Sequence, residues 1–259
     1  MQTLKYSPLE AARLAVKAIL FYGIALGDRN RYLRIRRRSA AFLGEIGIYE
    51  RQSLTILSQF VSPGDTVLDI GANYGIYTAA LAKLVGEKGR VMAFEPNPAL
   101  LAGLEQQFRA LPNVEIQPFG LSNDAQQSIL RLPLLFGQIP EPALATVEES
   151  SLHYEELKIE LRPLDDFINK LGRLTFIKVD IEGHEEAFFK GARAVIEKYR
   201  PVIQFESMTP PLQGIFYKEF CDSYNYILNV SKGQKLSQLD GADPRNYLNY
   251  YLVPTRKTI

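Results

Sequence analysis

The sequence has few of the residues that form disulfides or metal clusters, and it has no long apolar run. Cys221 is the only cysteine among 259 residues, which excludes an intrachain disulfide and a four-cysteine zinc site. The one candidate targeting segment contains the apolar run Ala18 to Leu26, well short of the ~20 residues of a membrane-spanning helix. An arginine-rich segment follows that run directly, which disfavours a cleaved signal peptide. We therefore expect a cytoplasmic protein.

The chain also lacks an overall charge, although one end of it is basic. The formal net charge is +1, and the first 40 residues carry nine Lys or Arg against two acids. Six of these are arginines between positions 29 and 38, which can form the solvated face of a helix or contact phosphate, nucleic acid or anionic lipid. We favour the solvated face. Because nothing downstream matches a nucleic-acid-binding motif, no nucleic-acid partner is expected.

The opening stretch predicts an amphipathic helix, because Leu9, Ala12, Val16 and Ile19 recur at helical spacing. We expect this helix to pack on its own domain. Pairing with a second copy and peripheral membrane contact through the basic N-terminus are the alternatives. The chain is accordingly divided into a helical N-terminal extension, residues 1–60, and one α/β domain, residues 61–259.

Strand and helix patterns alternate from Asp65 onward, as in a mostly parallel sheet with right-handed crossovers. We predict a Rossmann-like α/β fold whose sheet has seven strands, helices on both faces and an antiparallel C-terminal hairpin. The predicted strands are Thr66 to Ile70, Arg90 to Phe94, Val114 to Pro118, Leu174 to Val179, Val202 to Phe205, Tyr226 to Val230 and Tyr247 to Val253. The predicted helices between them are Ile76 to Val85, Ala99 to Leu111 and Glu186 to Tyr199.

A long segment from Leu132 to Ser151 interrupts this alternation with three prolines and a pair of acids, Glu148 and Glu149. Connections of this length in a compact domain are functional lids or disordered segments. A substrate-covering loop and ordinary disorder are equally good interpretations of it.

The first candidate binding motif is a glycine loop that follows the first strand. Gly71 and Gly75 let the backbone turn sharply and approach a ligand, with Asn73 between them. Asp69, at the end of the strand, can accept a hydrogen bond from an ammonium group or order the loop. The dinucleotide fingerprint requires glycines at positions 73 and 76, where this chain has Asn73 and Ile76, so a pyrophosphate ligand is disfavoured.

An acidic side chain ends the second strand. Glu95 lies 24 residues beyond Gly71, where the two oxygens of a carboxylate can accept hydrogen bonds from two ribose hydroxyls. A ribose without a phosphate chain, together with an amino-acid moiety, fits S-adenosyl-L-methionine. After the third strand, Gly120 and Leu121 can line the adenine.

A second group of polar residues follows the fourth strand. Asp180 and His184 are candidate acid/base groups near the cofactor, and Glu206 should emerge at the same edge of the sheet. Asp180, Glu182, His184 and Glu206 can alternatively hold a metal ion. We expect no metal, because carboxylates are common at strand ends without one.

Together these motifs resemble the FkbM family of methyltransferases over about residues 49 to 206. The matching stretches are Tyr49-Glu50, Leu68 to Gly75, Ala93 to Pro96, Leu164 to Asp166, Ile177 to Glu185, Gly191-Ala192 and Arg200 to Glu206. The resemblance implies methyl transfer from S-adenosyl-L-methionine, usually to a hydroxyl on a sugar or natural-product scaffold. Many relatives carry a small residue in place of His184, so the resemblance does not support a catalytic role for this histidine.

The expected reaction is an in-line displacement at the methyl carbon, with Asp180 or His184 as the base and Glu206 orienting the acceptor or the base. Asp69, Gly71, Asn73, Gly75, Glu95, Gly120, Leu121 and Asp180 are the predicted cofactor-binding residues. A small molecule or glycan is the expected acceptor, and the oligomeric state is left open. The rival hypotheses are an NAD-type oxidoreductase and a non-catalytic membrane-surface or scaffold protein that retains the fold.

Overall fold

A computed structural model describes residues 55–135, 139–140, 142, 145–148, 153–206, 215–232, 235–239 and 249–255. The predicted amphipathic helix, the arginine-rich stretch and the Tyr49-Glu50 pair lie outside these ranges. Residues 55–57 are helical and lie within the predicted helical extension. None of the described helices is long and apolar enough to cross a membrane.

The described residues form twelve strands. In chain order they are β1 (Thr66–Ile70), β2 (Arg90–Phe94), β3 (Val114–Gln117), β4 (Gly120–Leu121), β5 (Gln126–Leu135), β6 (Ile139–Pro140), β7 (Tyr154–Arg162), β8 (Leu174–Val179), β9 (Val202–Glu206), β10 (Tyr226–Lys232), β11 (Lys235–Gln238) and β12 (Asn249–Pro254). The helices are α1 (Ile76–Val85), α2 (Pro98–Phe108), α3 (Glu185–Lys190), α4 (Arg193–Tyr199) and α5 (Ile215–Tyr224), with a 3₁₀ turn at Leu164–Phe167.

The main sheet has the strand order β11-β10-β12-β9-β8-β1-β2-β3. The five strands from β9 to β3 are parallel, and β10, β11 and β12 are antiparallel to their neighbours. This confirms the predicted α/β class, the mostly parallel sheet and the antiparallel C-terminal strands. The described sheet has eight strands rather than seven. Its extra strand, β11, is a short, partly exposed edge that pairs with β10, and its sequence KLSQ has no strand pattern of its own.

Helices cover both faces of the sheet, as predicted, because successive side chains of each strand point to opposite faces. In β1, Leu68 and Ile70 pack in a core cluster with residues of α3, α4 and α5. Val67 packs in a second cluster with α1. Asp69 lies two residues after Val67, on the face that α1 covers, and this position decides the role of its carboxylate in the site.

The segment between β3 and β8 forms a second sheet of order β4-β7-β5-β6. Gln126–Leu135 pairs antiparallel with Tyr154–Arg162 over eight residue pairs, from Gln126 to Pro133. The prediction that an irregular segment begins at Leu132 is therefore wrong for its first residues, which continue β5. This pairing joins residues far apart in the chain, and local sequence patterns do not report such pairings.

The predicted helix from Glu186 to Tyr199 is divided in two. α3 ends at Lys190 and α4 begins at Arg193. At the break, a Cβ on Gly191 would lie 2.0 Å from the carbonyl oxygen of Ser122, so only glycine fits there. The break therefore brings the turn at Ser122, which follows β4, against the helices that follow β8.

Candidate active site

A cleft of about 660 Å³, its open mouth included, lies at the carboxyl ends of β1, β2 and β8. In a doubly wound sheet this edge is where ligands bind. The loops after the three strands form one side of the cleft. The inserted sheet and residues 145–147 form the other side. The predicted site residues that line the cleft are Gly71, Asn73, Glu95, Gly120, Leu121, Asp180 and His184.

Gly71 is where the loop after β1 meets the end of β8. Its φ is +81°, and a Cβ there would lie 1.9 Å from the carbonyl oxygen of Asp180. The amide of Asp180 donates a hydrogen bond of 2.9 Å to the carbonyl of Ile70. Since the two backbones touch, only glycine can occupy position 71. This contact brings Asp180 to the glycine loop.

Asn73 and Glu95 join the two strand-end loops. The amide of Asn73 donates to Oε2 of Glu95 at 2.8 Å, and the amide of Asn97 donates to Oε1 at 2.8 Å. Each carboxylate oxygen can accept a second hydrogen bond, so both remain able to accept from a ribose. The Oδ1 atom of Asn73 is buried and has no hydrogen-bond partner among the described residues. It is an acceptor available to a donor such as an ammonium group.

Burial raises the pKa of Glu95 to about 7, and the two backbone donors lower it less than burial raises it. Nearby Asp69 and Asp180 raise it further through like-charge repulsion. The carboxylate form is therefore costly in the free protein. Hydroxyl donors from a ligand would stabilise that form.

Asp69 and Gly75 do not line the cleft. The carboxylate of Asp69 is buried on the α1 side of the sheet and accepts a hydrogen bond of 2.5 Å from the hydroxyl of Thr78. Burial raises its pKa to about 6. A Cβ on Gly75 would lie 2.7 Å from the ring of Phe108, so this glycine lets α1 start against α2. Of the two roles predicted for Asp69, this placement fits the ordering of the loop.

Gly120 and Leu121 form β4, which pairs with β7 of the inserted sheet. They lie beside Pro96 on the cleft, and a Cβ on Gly120 would lie 2.7 Å from the side chain of Leu161. The neighbouring wall is apolar and comes from Leu130, Leu161, Ala145 and Val147. Walls of this kind suit a flat aromatic ring.

Asp180 and Glu206 meet at a buried lysine. The Nζ atom of Lys178 lies 3.4 Å from Oδ2 of Asp180 and 3.3 Å from Oε1 of Glu206. The lysine is fully buried, whereas both carboxylates are about one-third exposed. Glu206 does not line the cleft, and Lys178 links it to Asp180. Because each carboxylate already holds an ammonium group, the alternative of a metal at this edge is disfavoured.

His184 is held at both ring nitrogens. Nδ1 lies 2.6 Å from Oε1 of Glu148, and Nε2 lies 2.9 Å from Oγ of Ser122. The segment that carries Glu148 is also tied down by Thr146, whose hydroxyl donates to the carbonyl of Glu182 at 2.9 Å. His184 must lose one of these partners before it can accept a proton from an acceptor. The geometry therefore favours Asp180 over His184 as the base.

The match to a protein family agrees with this arrangement. The family described as the methyltransferase FkbM domain matches residues 69–230, more than half of the chain. The chain belongs to the FkbM methyltransferase family. Its cofactor is S-adenosyl-L-methionine. This decides against the NAD-type oxidoreductase, in agreement with the missing glycines at Asn73 and Ile76.

Several solved structures are similar to this FkbM methyltransferase. A methyltransferase FkbM from Methylobacillus flagellatus KT has 17% identity and a TM-score of 0.49, over 96% of this chain and 72% of that one. Fibrillarin from Aeropyrum pernix, with natively bound S-adenosyl-L-methionine, has 13% identity and a TM-score of 0.43, over 78% and 74%. A SAM-dependent O-methyltransferase from Thermotoga maritima has 13% identity and a TM-score of 0.41, over 82% and 67%. No curated protein shows a significant match.

The sequence motifs do not indicate the contacts that Lys178, Thr78, Ser122 and Thr146 make in this methyltransferase. Lys178 has a signal, because it is a charged residue inside the apolar run Leu174–Val179, and a charge in a central strand needs a partner. Ser122 and Thr146 have none, since they meet His184 and Glu182 only through the pairing of the inserted sheet.

Proposed function

We propose that this FkbM methyltransferase transfers a methyl group to a hydroxyl oxygen of a sugar or a small natural-product-like acceptor. The observation that carries the proposal is the position of Asp180. Its carboxylate is about one-third exposed, lines the cleft and adjoins Gly71 of the cofactor loop. A partly exposed carboxylate beside a bound methyl donor can accept a hydrogen bond from the hydroxyl of an acceptor and then take its proton.

The cofactor half of the cleft is assigned to Gly71, Asn73, Glu95, Gly120 and Leu121. In this proposal, Oδ1 of Asn73 accepts from the ammonium of the amino-acid moiety, and Glu95 accepts from both ribose hydroxyls. Gly120 and Leu121 lie along the adenine. Asp69 and Gly75 contribute indirectly, because they fix the loop and the start of α1 rather than contact the ligand.

Bound S-adenosyl-L-methionine supplies a methyl group on a positively charged sulfur. The acceptor oxygen attacks the methyl carbon, and the new C–O bond forms as the C–S bond breaks. The electron pair of the broken bond stays on sulfur, which becomes neutral, and the proton of the hydroxyl passes to the carboxylate of Asp180. The protein contributes by aligning oxygen, methyl and sulfur in a site shielded by the inserted sheet.

The test uses radiolabelled S-adenosyl-L-methionine with a set of hydroxylated glycosides and small metabolites. For an acceptor found in this way, Asp180→Asn should lower kcat at least about 100-fold while S-adenosylhomocysteine still binds. Asp166→Asn is the matched control, because Asp166 is exposed outside the cleft. Transfer that persists in Asp180→Asn would remove the proposed base. Transfer to an amine or thiol with no transfer to hydroxyls would overturn the O-methylation.

The cellular setting of the reaction is inferred from the sequence. We propose a cytoplasmic reaction with a small-molecule or glycan acceptor and without a nucleic-acid partner. Peripheral membrane contact through the basic residues of positions 1–40 stays the alternative to packing of that segment on the domain. Co-sedimentation with vesicles containing one-third phosphatidylserine separates the two.

A further inference from the structure

Two of the groups assigned to the cofactor are closed off from solvent. The side chain of Glu95 belongs to a residue that is only 5% exposed, and Oδ1 of Asn73 is buried. These atoms can accept from a ribose and an ammonium group only when a molecule of the size of S-adenosyl-L-methionine reaches the interior of the cleft. Part of the cleft wall must therefore move when the cofactor enters and leaves.

Residues 145–148, here called the closing segment, are attached to the inserted sheet through their backbone. Thr146 and Arg131 of β5 exchange two backbone hydrogen bonds, at 2.7 and 3.0 Å. The guanidinium of Arg131 also donates to the carbonyl of Val147 at 3.0 Å. These bonds are adjacent and support one another, so this side of the closing segment is firmly held.

On its other side the closing segment meets the turn after β8 through side chains. The hydroxyl of Thr146 donates to the carbonyl of Glu182 at 2.9 Å, and Oε1 of Glu148 lies 2.6 Å from Nδ1 of His184. The amide of Glu148 donates to the same threonine hydroxyl at 3.1 Å, so the two contacts form one unit, here called the latch. Among the described residues, no backbone–backbone hydrogen bond joins the closing segment to this turn. The latch can therefore open without breaking a strand pairing.

The latch joins opposite sides of the cleft. The lining residues that it brings together are Ala145, Thr146 and Val147 on the closing segment, and Ile181, Glu182 and His184 on the turn. Opening the latch would widen the cleft between these two groups. The ends of β1 and β2, which carry Asn73 and Glu95, would keep their positions.

We propose that the closing segment is a gate for the cofactor and that Thr146 and Glu148 hold it shut. The segment stays attached to Arg131 when the latch opens, and it closes again over the bound cofactor. Closure excludes water from the methyl group and the sulfur. The inference rests on the cofactor of the family and is independent of the proposed acceptor, because it does not depend on which atom receives the methyl group.

A gate predicts a kinetic pattern that a fixed wall does not. Contacts between a fixed wall and a bound ligand slow dissociation and leave association unchanged. A gate that must open in both directions slows association and dissociation alike. Weakening the latch should therefore accelerate both steps, and the dissociation constant should change less than either rate.

The first experiment measures S-adenosylhomocysteine binding to the full chain by surface plasmon resonance. Thr146→Val keeps the shape of the side chain and removes its hydroxyl. Association and dissociation should each become about three to ten times faster, while Kd rises less than about threefold. Thr146→Ser keeps the hydroxyl and should return both rates towards those of the wild type. Thr255→Val is the matched control, because that hydroxyl also donates to a backbone carbonyl at 2.9 Å, outside the cleft.

The second experiment repeats the measurement on Glu148→Gln, which weakens the other half of the latch. Glu148 is half exposed and does not line the cleft, so this variant gives a result even if Thr146→Val does not fold. Both rates should again rise. Faster dissociation with an unchanged association rate would make the closing segment a fixed wall and overturn the gate, and so would two unchanged rates. A wild-type protein that does not bind S-adenosylhomocysteine would overturn the cofactor assignments and the gate with them.

Discussion

The Nδ1 atom of His184 lies 2.6 Å from Oε1 of Glu148, although 36 positions separate the two residues in the chain. Glu148 belongs to the segment that contributes Ala145 and Val147 to the cleft, and His184 belongs to the turn after β8. The other ring nitrogen of His184 is bonded to Ser122. The histidine therefore links one wall of the cleft to the turn that follows β4.

Removing the contact between Glu148 and His184 should weaken cofactor binding more than it lowers the stability of the fold. The side chain of Glu148 is half exposed, so Glu148→Gln should change the free energy of unfolding by less than about 1 kcal/mol. S-adenosylhomocysteine should dissociate about three to ten times faster, measured by stopped-flow fluorescence or surface plasmon resonance. Glu105→Gln, on the exposed side of α2, is the control. An unchanged dissociation rate would show that the segment does not retain the cofactor.

Glu95 should make the stability of the protein fall as the pH rises. Burial raises the pKa of Glu95 from 4.5 to about 7 in the folded protein. Between these values the folded state holds a proton that the unfolded chain has lost, so the free energy of unfolding decreases through this window. Between about pH 5 and pH 8, the free energy of unfolding should therefore fall by roughly 2 to 3 kcal/mol less in Glu95→Gln than in the wild type. Urea unfolding at the two pH values measures the difference.

Cofactor binding should show the opposite dependence on pH. The ionised carboxylate of Glu95 is the form that accepts both ribose hydroxyls, so S-adenosylhomocysteine should bind up to about tenfold more tightly as the pH rises from about 6 to 8. In calorimetric titrations this dependence should disappear in Glu95→Gln. If both proteins show the same slope, the ribose does not bind at Glu95.

Gly71 and Gly64 allow a matched test of the close approach at the cleft. Both have a positive φ, +81° and +89°, but a Cβ on Gly64 meets nothing within 4 Å, whereas a Cβ on Gly71 would lie 1.9 Å from Asp180 O. Gly64→Ala should cost about 1 kcal/mol of stability from backbone strain alone. Gly71→Ala should cost at least about 3 kcal/mol and abolish S-adenosylhomocysteine binding. Similar thermal midpoints for the two variants would contradict the contact.

The hydroxyl of Thr78 should matter most when Asp69 is ionised. Burial raises the pKa of Asp69 to about 6, and the Thr78 hydrogen bond opposes that rise. Thr78→Val should therefore destabilise the protein by about 1 to 3 kcal/mol at pH 8 and by less at pH 5, where the folded carboxyl is largely protonated. Thr78→Ser keeps the hydroxyl and should show a smaller loss that does not grow with pH. If Thr78→Val lowers the free energy of unfolding equally at both pH values, the contribution of the hydroxyl does not depend on the ionisation of Asp69.

The parallel part of the sheet was predictable because its signals are local. The first strand and α1 have the predicted bounds, and β8 ends where its apolar run gives way to Asp180. Parallel strands bring their carboxyl ends to one edge, so the approach of Gly71, Glu95 and Asp180 follows from their positions in the chain. The FkbM motifs name the same residues.

The pairing of the inserted sheet was not predictable, because it joins two segments that lie far apart in the chain. Leu157, Ile159 and Leu161 of β7 alternate with charged residues, which is a strand signal, but this alternation does not identify β5 as the partner strand. The two strands meet in a cluster of Leu130, Ile159 and Leu161. The same pairing sets Ser122 and Glu148 on either side of His184. His184, which the sequence offers as a candidate base, is therefore a link between two walls of the cleft.

The sequence by itself determined the family, the cofactor and the strand ends at which the cofactor-binding residues lie, since these depend on motifs whose spacing is fixed by short loops. Only the tertiary structure decided which polar side chains share a partner. Asp69 accepts a hydrogen bond from Thr78 because its side chain points to the α1 face of the strand. Asp180 and Glu206 both contact Lys178, because the charge of a buried lysine must be compensated. Such pairings depend on side-chain direction and on contacts between distant segments, which the order of residues does not display.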